Sequence, residues 1–355
     1  MVSSAARRIR LLVNPQAGGG RAARRTRVVL RALEGHGLEV HTEVARDREE
    51  AAELAALVAR EGEAVVTLGG DGIAGAAADG LRTVPGAVLG IIPAGRGNDL
   101  ARVLGIPSDL ERACAVIAGG TVRAMDLGEV DGRAFVGIAS TGFDSEANRV
   151  ANTAPGWLGS GVYAYGALRA LMRWRPASFQ VELVRPPAEA GAASEGSRGE
   201  VVRCELTGYS VALANSRCFG GGMRLAPEAR LDDGVLEMVA IAAMPRPLYA
   251  WRLRKVFGGT HVGLEEVHTD ALTEAVISAD RPFTMYADGD PIGELPVRVR
   301  VLPRAIGVLT GTSPLEAFSR APREERLSAP PSQPAQTQRT LAGEHAGGGT
   351  GTLAR

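Results

Sequence analysis

Five short stretches carry residue types that could do chemistry together. Gly69-Gly70-Asp71-Gly72 follows an apolar run, 64–68, and opens a helical pattern ending near Leu81. Glycines there let the backbone approach a phosphate, and the first N–H groups of the helix favour an anion. Asp71 would repel that anion unless a cation stood between, and Mg²⁺, which prefers carboxylate and water oxygens, resolves the conflict. Pro93-Ala94-Gly95-Arg96-Gly97-Asn98-Asp99 repeats this grammar after a second apolar run, 88–92. Asp71, Asn98 and Asp99 would serve equally well as helix caps, so each turn alone leaves both readings open.

Asn14-Pro15-Gln16-Ala17-Gly18-Gly19-Gly20 is a third loop at a strand end. Within it Gly18-x-Gly20-x-x-Ala23 fits the dinucleotide fingerprint, with Glu43 near the usual acidic position. Four residues separate the strand from the first glycine, whereas that fingerprint turns at once. Gly70-x-Gly72-x-x-Gly75 fits too, but on the third strand, where the fingerprint does not belong.

Two acidic turns lie further along. Leu231-Asp232-Asp233-Gly234-Val235 could hold a cation or be an ordinary Asp-Gly turn. In Tyr286-Ala287-Asp288-Gly289-Asp290, two carboxylates two residues apart in extended chain point the same way. One could accept a proton while the other holds a metal-bound water. A hairpin turn explains the same residues.

The elements that must position these stretches fall into two textures. Residues 9–13, 38–44, 64–68 and 88–92 read as strands, alternating with helices over 21–33, 48–60, 73–81 and 109–118, with Asp47 as an N-cap. That predicts an α/β domain over 1–120 with a Rossmann-like parallel sheet. All three glycine-rich turns sit at the carboxyl ends of its strands, where such sheets bind ligands. From 121 the pattern becomes strands at 121–130, 133–139, 179–184, 201–206, 209–214, 235–242, 275–278 and 296–302, with helices over 159–174 and 247–257. That predicts a C-terminal β-sandwich over 121–318, whose last strand has the option of returning to the first domain. The stretch 185–199 reads as a mobile hairpin loop, and 319–355 as a disordered tail with too few apolar residues to offset its ordering entropy.

Composition narrows the classes. At 355 residues about two domains are expected. Lys+Arg and Asp+Glu both number 40, so bulk charge gives no reason to expect a nucleic-acid partner. Lys255 is the only lysine, and no glycine-rich loop contains it, which excludes the Walker-type P-loop. Cys114, Cys204 and Cys218 lack metal or disulfide spacing and read as reduced thiols of a cytoplasmic protein. The five histidines form no metal spacing, and there is no G-x-S-x-G elbow. No apolar run reaches spanning length, so membrane contact is expected to be peripheral. Residues 167–175 and 249–257 mix apolar side chains, a Trp and several basic residues. Each suits an anionic bilayer surface or an amphipathic helix packed on the sandwich.

Taken in order, these motifs resemble the diacylglycerol kinase catalytic-domain family, the superfamily of bacterial soluble lipid kinases and of sphingosine and ceramide kinases, with NAD kinases as distant relatives. The matching pieces are Asn14-Pro15 with Gly18-Gly19-Gly20-Arg21, Gly69-Gly70-Asp71-Gly72, Gly95-Arg96-Gly97-Asn98-Asp99, Leu231-Asp232-Asp233-Gly234 and Asp288-Gly289-Asp290. They span about residues 9 to 310.

The resemblance implies ATP-dependent, Mg²⁺-assisted transfer of the γ-phosphoryl to a lipid hydroxyl, with diacylglycerol the acceptor it points to. It implies ATP over Asn14, Pro15, Gly18–Gly20, Arg21, Gly69, Gly70, Gly72, Gly95, Arg96, Gly97 and Asn98. Asp71, Asp99 and Asp290 would hold a water-and-Mg²⁺ network, and Asp288 would be the general base. Asp233, with the carbonyls of Arg230 and Val235, would match a structural Mg²⁺ site. Three positions depart from the family: Ile73 and Arg96 replace Thr, and Asp290 replaces Glu. The first removes a phosphate hydrogen bond, the second substitutes charge, and the third shortens an arm by a methylene that water can bridge. A catalytically impaired lipid or nucleotide sensor, an NAD kinase and a nicotinamide-dependent oxidoreductase are the competing readings, and a homodimer is an open arrangement.

Overall fold

The computed structural model describes residues 8–15, 17–152, 162–187, 199–311 and 317–318. The tail from 319, most of the 185–199 stretch and the first residues of the helix expected from 159 lie outside the described residues.

β1 (Arg8–Val13), β2 (Glu39–Val44), β3 (Ala64–Gly69) and β4 (Val88–Pro93) form a parallel sheet in the order β2-β1-β3-β4. β3 and β4 are buried almost end to end, as strands covered by helices on both faces must be, while β2 is an exposed edge. The covering helices are α1 (Ala17–Gly35), α2 (Arg48–Arg60), α3 (Asp71–Leu81), the short α4 (Asp99–Val103) and α5 (Leu110–Gly119). Asp47 caps α2 by accepting the Glu50 N–H at 2.9 Å. α2 and α3 meet at backbone distance, since a Cβ on Gly80 would collide with the Ala52 carbonyl.

The second half holds β5 (Thr121–Val130), β6 (Arg133–Phe135), β7 (Ile138–Gly142), α6 (Phe143–Asn152), α7 (Val162–Arg173), β8 (Ala177–Val184), β9 (Val201–Ala214), β10 (Leu236–Ala242), α8 (Arg246–Gly258), β11 (Val267–Leu272), β12 (Glu274–Ala279), β13 (Thr284–Ala287), β14 (Asp290–Glu294) and β15 (Val297–Thr310). Its strands pair antiparallel with one another around a core that includes Phe135, Phe179, Leu213, Met285 and Val299, all fully buried. The architecture is an α/β domain followed by a β-sandwich.

β15 joins the halves. Its first part pairs antiparallel with β12 and β5; beyond a bulge, Gly307 and Val308 pair in parallel with Val88 and Leu89 of β4. The bulge explains why the strand runs past 302, where Pro303 suggests a stop. Arg304 takes a positive φ of 49°, and its N–H is received by the fully buried Asp126 at 2.7 Å. Glu129 of β5, 5% exposed, accepts from Arg82 at the end of α3 (3.1 Å) and from Arg300 of β15 (2.6 Å).

Elsewhere 201–206 and 209–214 fuse into the single strand β9, while the expected strand 133–139 is cut at Val136-Gly137. α6, β11, β13 and β14 lack a clear sequence signal, being short or strongly polar.

Candidate active site

β3 ends at Gly69, and Asp71 begins α3 at once. The neighbouring strand turns through Gly95-Arg96-Gly97-Asn98 into α4. The two turns touch through their backbones. Ala94 and Gly95 both donate to the Gly69 carbonyl (2.7 and 3.0 Å), and a Cβ on Gly95 would overlap the Gly70 Cα. Glycine is required at this contact because no side chain fits. Asn98 holds its turn from the inside. At φ 54° its Oδ1 accepts the Gly95 N–H and its Nδ2 donates to the Gly95 carbonyl. Arg96 stands exposed at the tip.

Asp71 and Asp99 face each other across Gly97: a Cβ there would lie 3.2 Å from the Oδ2 of each. Asp71 Oδ1 accepts the Leu100 N–H at 2.9 Å. Asp99 accepts from Arg102 Nη1 (2.5 Å) and from the Gly221 N–H (2.8 Å), which belongs to a loop of the second domain. Burial and the charge of Asp71 push the Asp99 carboxyl above its ordinary range, against the pull of these donors.

The β13–β14 hairpin supplies the remaining acids. Asp288 and Gly289 form its turn with φ of 53° and 93°. It is this turn, not alternation along a strand, that aims the carboxylates. Asp288 accepts one hydrogen bond on each oxygen, from the Val136 and Gly137 N–H groups, both 2.8 Å. That is why the chain breaks between β6 and β7: the two amides turn out of the ladder to hold Asp288. Burial pushes its carboxyl up to about 6; Asp71 adds to the rise, while the two amides and Arg48 oppose it.

Asp288 and Asp290 both lie against α3. A Cβ on Gly75 would be 2.8 Å from Asp288 Oδ2, and one on Gly72 3.2 Å from Asp290 Oδ2. Gly72 and Gly75, one turn apart, clear a face of the helix for the hairpin. The dinucleotide-like spacing at 70–75 therefore has another cause.

Sequence reasoning missed Arg48 at the first position of α2. Its Nη2 donates to the Ala134 carbonyl at 2.9 Å, and its Nη1 lies 3.8 Å from Asp290 Oδ2. It also missed Tyr286, Asn148 and Ser140, which line one cleft with Asp71, Asp99, Gly137 and Asp288. The run Gly220-Gly221-Gly222, all at positive φ, was the available signal for the loop that reaches Asp99.

The other expected residues are placed less centrally. Asn14 and Pro15 are half-buried after β1; Gly18 and Arg21 fall in the opening of α1, as do Gly19 and Gly20 with φ of 71° and 82°. The glycine run thus lies within the bounds of α1, with two of its residues in the left-handed region that glycine favours. Glu43, the candidate ribose acid, accepts from Arg10 at 2.7 Å. Arg230, Asp233 and Val235 belong to a separate turn. Arg230 donates to the Phe318 carbonyl (2.8 Å), and Gly234 donates to Asp126 (2.6 Å). Burial raises the Asp126 carboxyl to about 6, against the Arg304 and Gly234 N–H donors, with Asp233 and Asp232 adding to the rise.

Comparison with known proteins decides which family the chain belongs to. Residues 8–130 match the diacylglycerol kinase catalytic domain, and 137–310 the YegS C-terminal NAD kinase beta sandwich-like domain. A diacylglycerol kinase of Mycobacterium tuberculosis is 32% identical over 311 residues, covering 85% of this chain and 94% of its own. The chain belongs to the diacylglycerol kinase family of lipid kinases. A probable YegS-like lipid kinase of Pseudomonas aeruginosa is also 32% identical, over 84% of this chain and 98% of its own. A putative diacylglycerol kinase from Bacillus anthracis shares the fold, with a TM-score of 0.68 at 20% identity, over 86% of this chain and 98% of its own.

Within this family the departure at Ile73 is the one the fold accounts for. The side chain is 6% exposed and packs in the core of the first domain, away from solvent. Among the described residues no three His, Cys, Asp or Glu side chains converge closely enough to chelate a metal by themselves. Asp71 and Asp99 instead suit a Mg²⁺ completed by phosphate and water oxygens, the usual way that ion is held beside nucleotides.

Proposed function

We propose that this lipid kinase transfers the γ-phosphoryl of ATP to the free hydroxyl of diacylglycerol, giving phosphatidic acid. The observation that carries this reading is Asp288. It is an enclosed carboxylate at the cleft, poised near neutrality at about 6 and fixed in direction by two backbone N–H groups. A general base works best with such a pKa and such restraint. As the lipid oxygen bonds to the γ-phosphorus, Asp288 takes its proton, and the bond from that phosphorus to the β–γ bridging oxygen breaks to release ADP. The glycine turns at 69–72 and 95–98 lie in backbone contact where the phosphates would rest. When bound, Mg²⁺ would neutralise phosphate charge between Asp71 and Asp99. Little else is asked of the protein, because phosphoryl transfer depends mainly on positioning and charge.

Contact with the bilayer would be peripheral. Among the described residues no helix is long and apolar enough to cross a membrane. α7 exposes Leu168 and Met172, and α8 exposes Trp251 and Phe257 beside Lys255. Such side chains suit the interface of an anionic bilayer. Burial of Ile73 supports an active enzyme over an impaired sensor, since the side chain serves the core of the first domain.

The test is transfer of label from γ-labelled ATP into mixed micelles of diacylglycerol, sphingosine or ceramide, with Mg²⁺ varied. Labelled phosphatidic acid that vanishes in both Asp288→Asn and Asp71→Ala supports the reading. Label in another lipid, or in none while ATP still binds, overturns it.

A further inference from the structure

Asp290 is the acid that the cleft leaves out. Asp71, Asp99 and Asp288 line the cleft, and Asp290 does not. The charges acting on these groups divide the same way. Burial raises the Asp99 and Asp288 carboxyls, and Asp71 adds to both. Burial raises Asp290 as well, but the charges that act on it are the cations Arg48 and Arg133.

Both arginines also hold backbone beside the base. Arg133 Nη1 donates to the Ile292 carbonyl at 3.4 Å, two residues beyond Asp290. Arg48 Nη2 donates to the Ala134 carbonyl at 2.9 Å, and Asp79 of α3 accepts the Ala134 N–H at 2.7 Å. Ala134 is thereby clamped between α2 and α3. Just beyond it, the Val136 and Gly137 N–H groups hold Asp288.

Arg48 has a second arm. Its Nη1 is buried, has no hydrogen-bond acceptor among the described residues, and lies 3.8 Å from Asp290 Oδ2. A buried donor of this kind calls for an oxygen. Asp290 is the carboxylate within ion-pair reach of it among the described residues. Gly75 leaves the room: a Cβ there would lie 3.7 Å from Arg48 Nη1 and 2.8 Å from Asp288 Oδ2. Across the two-residue turn that carries Asp288, Asp290 pairs with Ala287, so a tether at 290 fixes the turn at its base. One guanidinium of the first domain thus reaches both the strand that supplies the amides and the hairpin that carries the carboxylate they hold.

We propose that Arg48 and Asp290 are positioning residues, a latch from α2 that aims Asp288, and that Asp290 serves this latch instead of a magnesium network. The aim of the latch rests on the reading of Asp288 as the base; the engagement of Asp290 by Arg48 does not.

The test is a double-mutant cycle on the full chain, Arg48→Gln with Asp290→Asn, read three ways. In transfer from γ-labelled ATP to diacylglycerol micelles, each single variant should lower kcat by roughly tenfold or more, as a displaced reacting group does. KM for ATP should stay unchanged. The double variant should be no slower than the slower single, because residues in contact are not additive. Arg48→Lys keeps the charge and loses the fork, and should recover kcat severalfold over Arg48→Gln. A merely structural role would give neither the split between kcat and KM nor this rescue. In urea melts the double variant should unfold at the midpoint of the less stable single. In titration with Mn²⁺ as the probe for Mg²⁺, with ADP present and free ion read by electron paramagnetic resonance, Asp290→Asn should bind as the wild type does. Binding weakened by roughly tenfold or more, the usual cost of removing a group that tunes a metal, would return Asp290 to the cation and overturn the proposal. Singles with wild-type kcat, or losses that multiply in kcat and add in the melts, would overturn it too. A wild type that labels no lipid would sink the kinase reading alone, since the melts and the Mn²⁺ titration still decide whether Arg48 holds Asp290.

Discussion

Asp288 Oδ2 lies 2.8 Å from where a Cβ on Gly75 would stand. The helix that carries Asp71 into the cleft is therefore notched for the hairpin that carries the opposing carboxylate. Gly75→Ala should raise the intrinsic helix propensity of α3 by about 1 kcal/mol and yet lower kcat by roughly tenfold to a hundredfold, since displacing a reacting group by under an ångström has that effect. Steady-state kinetics with a thermal melt separates the two consequences. A variant that loses stability and rate together would show that the contact only holds the fold.

The Asp288 carboxyl sits at about 6 because its enclosure outweighs two amide donors and Arg48. A general base acts ionised, so kcat/KM should rise with pH through about 6 and level off above it. Asp288→Asn should lower kcat by about 10²–10⁴, the usual worth of such a base. A pH–rate profile of the wild type with no step between 5 and 7 would remove Asp288 from that role.

What could be read from the sequence follows the range of the interaction. The glycine turns at 69–72 and 95–98 follow from their own residues: a strand, a phosphate-sized turn and a helix start are written in consecutive positions. Asp288 and Asp290 are visible as acids, but their aim depends on Val136, Gly137, Gly72 and Gly75, which are distant in the chain. Arg48 gave no local signal at all, because it reads as an ordinary first residue of an amphipathic helix. Its partners, Ala134 and Asp290, exist only after the sandwich docks. The same holds for Asp126, whose burial follows from the bulge at Arg304 that it stabilises.

Three carboxylates, Asp126, Asp144 and Asp288, are raised to about 6 in the folded chain, chiefly by burial. Raised acids bind more protons folded than unfolded between their ordinary pKa near 4 and about 6. Their contribution to stability is therefore present below 4 and is lost as pH rises through 6. The melting temperature in chelator should fall between pH 5 and 7. Added Mg²⁺ should recover part of the loss at pH 7 and little at pH 5, through binding to ionised carboxylates in the folded state. A melting temperature that climbs across this window, or ignores Mg²⁺, would contradict the cation reading of the Asp71–Asp99 and Asp126–Asp233 neighbourhoods.

Glu129 ties α3 to β5 and β15 through Arg82 and Arg300 while 5% exposed. Removing one partner of a buried ionic network strands the others, at a cost of about 3 kcal/mol. Glu129→Ala should lower the denaturation midpoint accordingly and leave the pH–rate profile unchanged in shape. A shift in that profile would mean that the domain junction also sets the Asp288 environment.

Ile73 supplies the sharpest check on reading a family motif by type alone. Restoring the Thr common in the family would place a hydroxyl at a position 6% exposed among core side chains. Val-to-Thr-like exchanges in cores are not neutral, because the hydroxyl must find a partner or lose its hydration. Ile73→Thr should therefore destabilise the chain by about 1–3 kcal/mol with kcat no higher than wild type. Denaturant melts and initial rates in diacylglycerol micelles measure both. A gain in kcat would show that residue 73 turns toward the phosphates during turnover, and that the missing hydroxyl does limit this enzyme.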